Sequence, residues 1–218
     1  MSNGPQIVPA TAPDVAERAA RVLRGGGLVV IPTDTVYGLA AALDQPCALE
    51  AIYQAKRRSH DMPLPVLVAS PADADRMAAE PLTAGVRRLC ERFWPGALTV
   101  IVPAAPAVPA TVTSGTGTVG LRMPDSEVAL AIIAAAGGAL AVTSANISGD
   151  DAARDVSALP AELLAHVALV VDGGPCPGGV PSTVVDLTGP QLRLVREGAI
   201  SAAAVRAALT DTDEGPAA

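Results

Sequence analysis

Residues 28–39 read Leu28-Val29-Val30-Ile31-Pro32-Thr33-Asp34-Thr35-Val36-Tyr37-Gly38-Leu39, and the fold turns on them. The short apolar run with β-branched residues reads as a buried strand, and Pro32 ends its hydrogen-bonding ladder where the hydroxyls begin. Those hydroxyls therefore sit at a strand's carboxyl end, the edge of an open α/β sheet where loops converge over a ligand crevice. The same residues also suit a polar turn that satisfies only its own backbone. The choice between the two depends on what other segments reach that edge.

Outward from this stretch, helices alternate with strands. Upstream, Asp14 and Glu17 are spaced as a capping box for a helix whose Val15, Ala19, Val22 and Leu23 share a face, and Gly25-Gly26-Gly27 ends it. Downstream, Pro46 opens a helix that finishes in Lys56-Arg57-Arg58, and Leu64 to Ala69 reads as a second buried strand. Helices are expected at 72–79 and 83–93, a strand at 98–102, and another at 118–123 broken by Pro124. A helix at 127–136 gives way at Gly137-Gly138 to a strand that ends in Thr143-Ser144-Ala145-Asn146. After a helix near 160–165 and a strand at 167–171, the loop 173–181 leads into a hairpin of 183–187 and 192–195, and a helix at 202–209 closes the chain. The pattern is a single α/β domain with a mixed sheet, spanning 13–209 between a flexible N-terminus at 1–12 and a disordered tail at 210–218.

Half of the 218 residues are hydrophobic and 17% are charged, which marks a globular chain able to bury a substantial core. The net charge of −7 and the presence of only Tyr37, Tyr53, Phe93 and Trp94 as aromatics argue against a general nucleic-acid surface, so any anion site is local. Cys47, Cys90 and Cys176 are far apart and read as buried or inert thiols; with only His60 and His166 beside them, no metal site is expected. Neither a secretory leader nor a bilayer-spanning segment is apparent, and a cytoplasmic protein is expected.

Several small constellations carry chemistry. Gly115-Thr116-Gly117-Thr118-Val119-Gly120 matches a dinucleotide fingerprint but precedes a strand instead of opening a helix, so that reading is rejected. Lys56-Arg57-Arg58 complements a helix dipole as readily as it serves a ligand. Arg122 lies among apolar strand residues and needs an anionic partner, either an internal carboxylate or a ligand whose own carboxylate fits the guanidinium fork. Ser144-Ala145-Asn146 and Ser182-Thr183 add hydroxyls and an amide. Gathered beside Thr33-Asp34-Thr35, with Lys56, Arg58, Arg122 and Arg196 around them, they would suit a small zwitterion next to a polyphosphate.

The ordered segments 32–39, 56–58, Trp94-Pro95-Gly96, Leu121-Arg122-Met123-Pro124, 144–146 and Ser182-Thr183-Val184-Val185-Asp186 together resemble the YrdC/TsaC family of threonylcarbamoyl-AMP synthases in its short form. The resemblance runs from about residue 20 to 201 and implies a YrdC-like twisted mixed β-sheet with flanking helices around an open ligand-binding concavity. It implies condensation of L-threonine, bicarbonate and ATP into threonylcarbamoyl-adenylate with release of pyrophosphate, for tRNA threonylcarbamoyladenosine modification by downstream transfer proteins, with at most weak tRNA contact. Matching positions put Thr33, Arg122 and Ser182 on threonine, and Lys56, Arg58, Thr118, Ser144, Asn146 and Arg196 on ATP, Lys56 and Arg58 being the catalytic pair. Mg²⁺ is expected to accompany the triphosphate. Asp34 is a candidate base for the amine and equally a turn residue.

Two positions depart from the family pattern. Ser59 stands where a proline usually follows Lys-x-Arg, and Gly149-Asp150-Asp151-Ala152-Ala153 replaces a segment with a Pro-Ser pair, leaving Arg154 as a substitute nucleotide contact. The rival readings are a carbamoyl-adenylate-handling domain on the same fold and a non-catalytic RNA-binding or ribosome-maturation factor.

Overall fold

In the computed structural model, which describes residues 4–210, the chain begins with strand β1 (Gln6–Pro9), helix α1 (Val15–Arg24), β2 (Leu28–Ile31), β3 (Gly38–Ala42) and α2 (Pro46–Lys56). Next come β4 (Val66–Val68), α3 (Pro71–Met77), α4 (Ala84–Phe93), β5 (Leu98–Pro103), the one-turn α5 (Ala110–Thr113) and β6 (Thr118–Arg122). The remainder is α6 (Glu127–Ala135), β7 (Ala139–Ser144), the one-turn α7 (Ala161–Leu164), β8 (Val167–Asp172), β9 (Thr183–Asp186), β10 (Arg193–Arg196) and α8 (Ala202–Thr210).

One sheet takes all ten strands in the order β1-β8-β2-β3-β7-β4-β6-β5-β9-β10. It is mixed: β1 and β2 flank β8 in parallel, β4–β6 and β5–β9 are parallel, and the remaining neighbours are antiparallel. The period of two along a strand sends alternate residues of β2 into two cores. Leu28 and Val30 join the one packed under α2, α4 and α5, and Val29 and Ile31 join the one under α1 and α6. A strand covered on both faces has no polar side, so this stretch reads as a continuous apolar run.

The hydroxyl stretch does not lead into a helix. It turns the chain back into β3, which pairs antiparallel with β2 so that Ile31 faces Gly38. Gly38-Leu39-Ala40-Ala41-Ala42 carries little strand propensity of its own. It is a strand because β2 and β7 enclose it, and a Cβ at Gly38 would fall 2.6 Å from Val142 Cγ1, so only glycine admits that close approach.

The N-terminal reading needs correction as well. Within the span expected to be flexible, Gln6–Pro9 forms an edge strand on β8, from Gln6 against Leu169 to Pro9 against Asp172. Four residues ending in proline give too short a period to detect. Asp14 does precede α1, but its side chain makes no capping bond and instead lies 3.9 Å from Arg18. Cys90 and Cys176 are buried as expected, whereas Cys47 is exposed. Met1–Asn3 and the tail from Asp211 lie outside the described residues. Among the described residues no helix is long and apolar enough to cross a membrane, and no group of three or more His, Cys, Asp or Glu could hold a metal ion.

Candidate active site

A cavity of about 360 Å³ opens where the 32–37 loop meets the ends of β6 and β7 and the start of β9. Seven of the nine site residues expected from the sequence line it: Thr33, Arg58, Thr118, Arg122, Ser144, Ser182 and Arg196. Lys56 and Asn146 do not.

Arg122 ends β6 and is only 6% exposed, yet its charge has a partner at every described contact. Nη2 donates to Asp34 Oδ1 at 2.5 Å, Nη1 to Thr35 Oγ1 at 3.0 Å, and Nε to the Gly96 carbonyl at 2.9 Å. Burial lowers its pKa and the Asp34 carboxylate raises it, the first being the larger influence. The internal carboxylate left open by the sequence is therefore Asp34, 88 residues away in the chain.

Two other guanidiniums reach the cavity without a carboxylate within ion-pair distance among the described residues. Arg58 donates from Nε and Nη2 to the carbonyls of Met62 and Pro63, at 3.2 and 2.9 Å. These bonds, with Met62 N donating to the Ser59 carbonyl, define the loop that the missing proline had left open. Arg196 donates from Nη2 to the Ser182 carbonyl at 2.8 Å. Desolvation is the largest cause holding both below the usual arginine range, and Arg196 lowers Arg58 further. Two guanidiniums facing one cavity without a carboxylate in contact suit an anion there.

The hydroxyls are neither all free nor all committed. Thr33 Oγ1 donates to the Val36 carbonyl at 2.6 Å and accepts from the Thr35 and Val36 amides, so the polar-turn reading holds even as the residue lines the cavity. Ser182 Oγ lies 2.9 Å from Thr99 Oγ1, and Thr118 Oγ1 lies 3.0 Å from Thr116 Oγ1. The glycines before Thr118 form a turn into β6, with Gly115 and Gly117 at φ of 73° and 70°, and no helix follows. The rejected dinucleotide fingerprint has no structural counterpart here.

A family model named Sua5/yciO/yrdC, described as "Telomere recombination", matches residues 21–198. The chain belongs to the Sua5/YciO/YrdC family. A Mycobacterium leprae protein provisionally named threonylcarbamoyl-AMP synthase is 41% identical over 187 residues, covering 86% of this chain and 84% of that protein. The threonylcarbamoyl-AMP synthase of Bacillus subtilis is 39% identical over 198 residues, covering 90% of this chain and 57% of the relative. Among solved structures, Pyrococcus abyssi Sua5 complexed with L-threonine superposes with a TM-score of 0.83 at 36% identity, covering 88% of this chain and 57% of that one. The single α/β domain with a mixed sheet and flanking helices is thus the Sua5/YciO/YrdC fold.

Lys56 requires a correction within that family frame. It is 1% exposed, and Nζ donates to the Ser144 carbonyl at 2.5 Å, the Asn146 carbonyl at 2.6 Å and Asn146 Oδ1 at 3.2 Å. An ammonium has three donors, and protein oxygens take all of them. Asn146 is turned away from the cavity too, donating from Nδ2 to the Ile147 and Asp150 carbonyls at 2.8 Å each. Both residues shape the Ser144 turn from behind. Arg154, the suggested substitute, lies with its guanidinium over Gly179, away from the cavity lining.

Burial, and secondarily Arg58, pushes Lys56 down from 10.5 to about 8. The folded value lies below the unfolded one, so between them the unfolded chain holds a proton that the folded chain gives up. The burial penalty is fully present below about pH 8 and is relieved as pH rises toward 10.5. Urea unfolding at pH 7.5 and 9.5 is expected to show the wild type gaining stability relative to Lys56→Met at the higher pH. A constant difference would mean that the protein oxygens around Nζ offset its desolvation.

Thr99 is not legible as a site residue, and the roles of Thr35 and Tyr37 within the hydroxyl stretch are not legible either. Thr99 and Thr35 each hold a cavity side chain in place, and Tyr37 donates to the Gly174 carbonyl at 2.7 Å and accepts from the Gly173 amide at 3.1 Å. The tyrosine is completely buried, and its hydroxyl is pushed up to about 12, mainly by desolvation. It fastens the 173–181 loop to the hydroxyl stretch.

Proposed function

We propose that this chain is a threonylcarbamoyl-AMP synthase, a nucleotidyltransferase that condenses L-threonine, bicarbonate and ATP into threonylcarbamoyl-adenylate and pyrophosphate. The observation that carries the reading is one cavity holding an oriented guanidinium, Arg122, beside two guanidiniums, Arg58 and Arg196, with no carboxylate within ion-pair distance among the described residues. The relatives' names and the threonine complex of Pyrococcus abyssi Sua5 support it.

In this reading the threonine carboxylate lies on Arg122 and its side chain lies near Thr33 and Ser182. The triphosphate faces Arg58 and Arg196, with Thr118 and Ser144 beside it. Mg²⁺ is carried by the phosphate oxygens of the substrate. Carbon dioxide from bicarbonate adds to the free amine to give a carbamate, and the proton the amine loses leaves with the bicarbonate hydroxide as water. A carbamate oxygen then bonds to the α-phosphorus, and the bond to the β-phosphate bridge breaks to release pyrophosphate. Nucleophile and phosphates are both anionic, so the protein contributes chiefly by positioning and positive charge. Lys56 and Asn146 serve the nucleotide side through the turn they hold. The product passes to proteins that transfer the threonylcarbamoyl group to tRNA, in the cytoplasm.

Pyrophosphate release by the purified chain is expected only when ATP, L-threonine and bicarbonate are all present. Equal release without threonine would sink the assignment. tRNA binding with no threonine-dependent release would favour the RNA-binding reading.

A further inference from the structure

Resting on the assignment of Arg122 to the threonine carboxylate, we propose that Asp34 and Thr35 are positioning residues that aim the Arg122 guanidinium into the cavity. A guanidinium carries five N–H donors. Gly96 O, Thr35 Oγ1 and Asp34 Oδ1 take three of them, at 2.9, 3.0 and 2.5 Å. Two donors remain, one on Nη1 and one on Nη2, and a ligand carboxylate has an oxygen for each.

The holders are themselves held. Asp34 Oδ1 also accepts from the Asp125 amide at 3.1 Å, which fixes that oxygen to the turn between β6 and α6. The backbone carbonyls of Asp34 and Thr35 accept from the Gly178 and Gly179 amides at 3.0 and 2.8 Å. A Cβ at Gly178 would fall 2.6 Å from the Asp34 carbonyl oxygen, so the 173–181 loop reaches this contact because the position is glycine. The fork is braced from Gly96 between α4 and β5, from the turn before α6 and from the 173–181 loop at once.

Asp34 is absent from the lining of the main cavity and instead borders a separate hollow of about 190 Å³ with Pro32, Asp125 and Cys176. Its carboxylate therefore acts through Arg122, and a role as base for the threonine amine has no geometric support. Thr35 is 1% exposed and presents its hydroxyl to Arg122 and to Thr33 Oγ1, 3.1 Å away. The Thr-Asp-Thr sequence is in this view a bracket for an arginine 87 and 88 positions downstream.

The test is steady-state pyrophosphate release by the full chain, varying L-threonine and ATP separately. Asp34→Ala is expected to raise the threonine KM about tenfold or more while the ATP KM stays within about twofold. Asp34→Asn keeps an oxygen that accepts from Arg122 and Asp125, and is expected to return the threonine KM to within about threefold of wild type. If Asp34→Ala does not fold, Thr35→Val, which removes only a hydroxyl, replaces it with an expected threonine KM rise of about three- to tenfold. An unchanged threonine KM in the folded Asp34→Ala or Thr35→Val protein overturns the proposal. So does loss of kcat in Asp34→Asn matching that in Asp34→Ala, which would mark a base. Wild-type release that ignores threonine would instead defeat the functional reading itself.

Discussion

Arg122→Ala is expected to raise the L-threonine concentration for half-maximal pyrophosphate release about a hundredfold, with the ATP requirement changing by no more than about threefold. Two N–H donors of a buried cation remain for a ligand carboxylate, and charge-assisted hydrogen bonds are worth about 1.5–3 kcal/mol each. A hundredfold loss corresponds to roughly 2.7 kcal/mol, within the reach of that pair. The substitution also strips Asp34 of its partner, and breaking a buried ion pair from one side costs about 3–5 kcal/mol of stability. Reduced stability alone lowers the amount of active protein and leaves KM untouched, so the two effects separate. Arg122→Lys sharpens the distinction: a charge remains near Asp34 and most of the stability returns, but the planar fork is gone and the threonine KM stays high. Melting curves paired with both KM values check this. A threonine KM unmoved in folded Arg122→Ala would make the residue purely structural.

Arg122 also shows how far sequence reasoning reaches. Its place in a strand among apolar residues announces a required counter-charge, because an unpaired buried cation is too costly. Which carboxylate answers is a matter of tertiary packing, with 88 residues between the partners. Thr99 is hidden for a related reason: a threonine inside β5 looks like an ordinary strand former, and only the fold brings Ser182 Oγ within 2.9 Å of it. Lys56 errs in the opposite direction. A lysine at the end of a helix reads as complementing the helix dipole or as serving a ligand, yet next to the left-handed Arg57 it lies beneath the Ser144 turn. β3 escaped notice because alanine and glycine advertise no period, whereas the hydroxyl loop was legible because proline, glycine and three hydroxyl-bearing residues cluster at one strand end. Local features are legible, and the resemblance names seven of the residues that share the cavity, but which side chains pair across the sheet is not legible.

Arg58→Met and Arg196→Met are expected to raise the ATP KM about tenfold to a hundredfold each, and they are expected to differ toward threonine. Arg58 braces only its own loop, at the Met62 and Pro63 carbonyls, so its loss leaves the threonine KM near the wild-type value. Arg196 holds the Ser182 carbonyl, so its loss raises the KM for both substrates. Among the described residues neither cation has a carboxylate within ion-pair distance, and Arg196 disfavours the charge on Arg58. Removing Arg196 therefore relieves repulsion on Arg58, and lost ATP affinity is expected to come without a loss of melting temperature that scales with it. Salt provides an independent check. These guanidiniums are reached by solvent and screened, so added KCl is expected to raise the wild-type ATP KM more steeply than the threonine KM, which depends on the buried Arg122. An ATP KM within twofold of wild type in both variants would remove the phosphate role from this pair of cations.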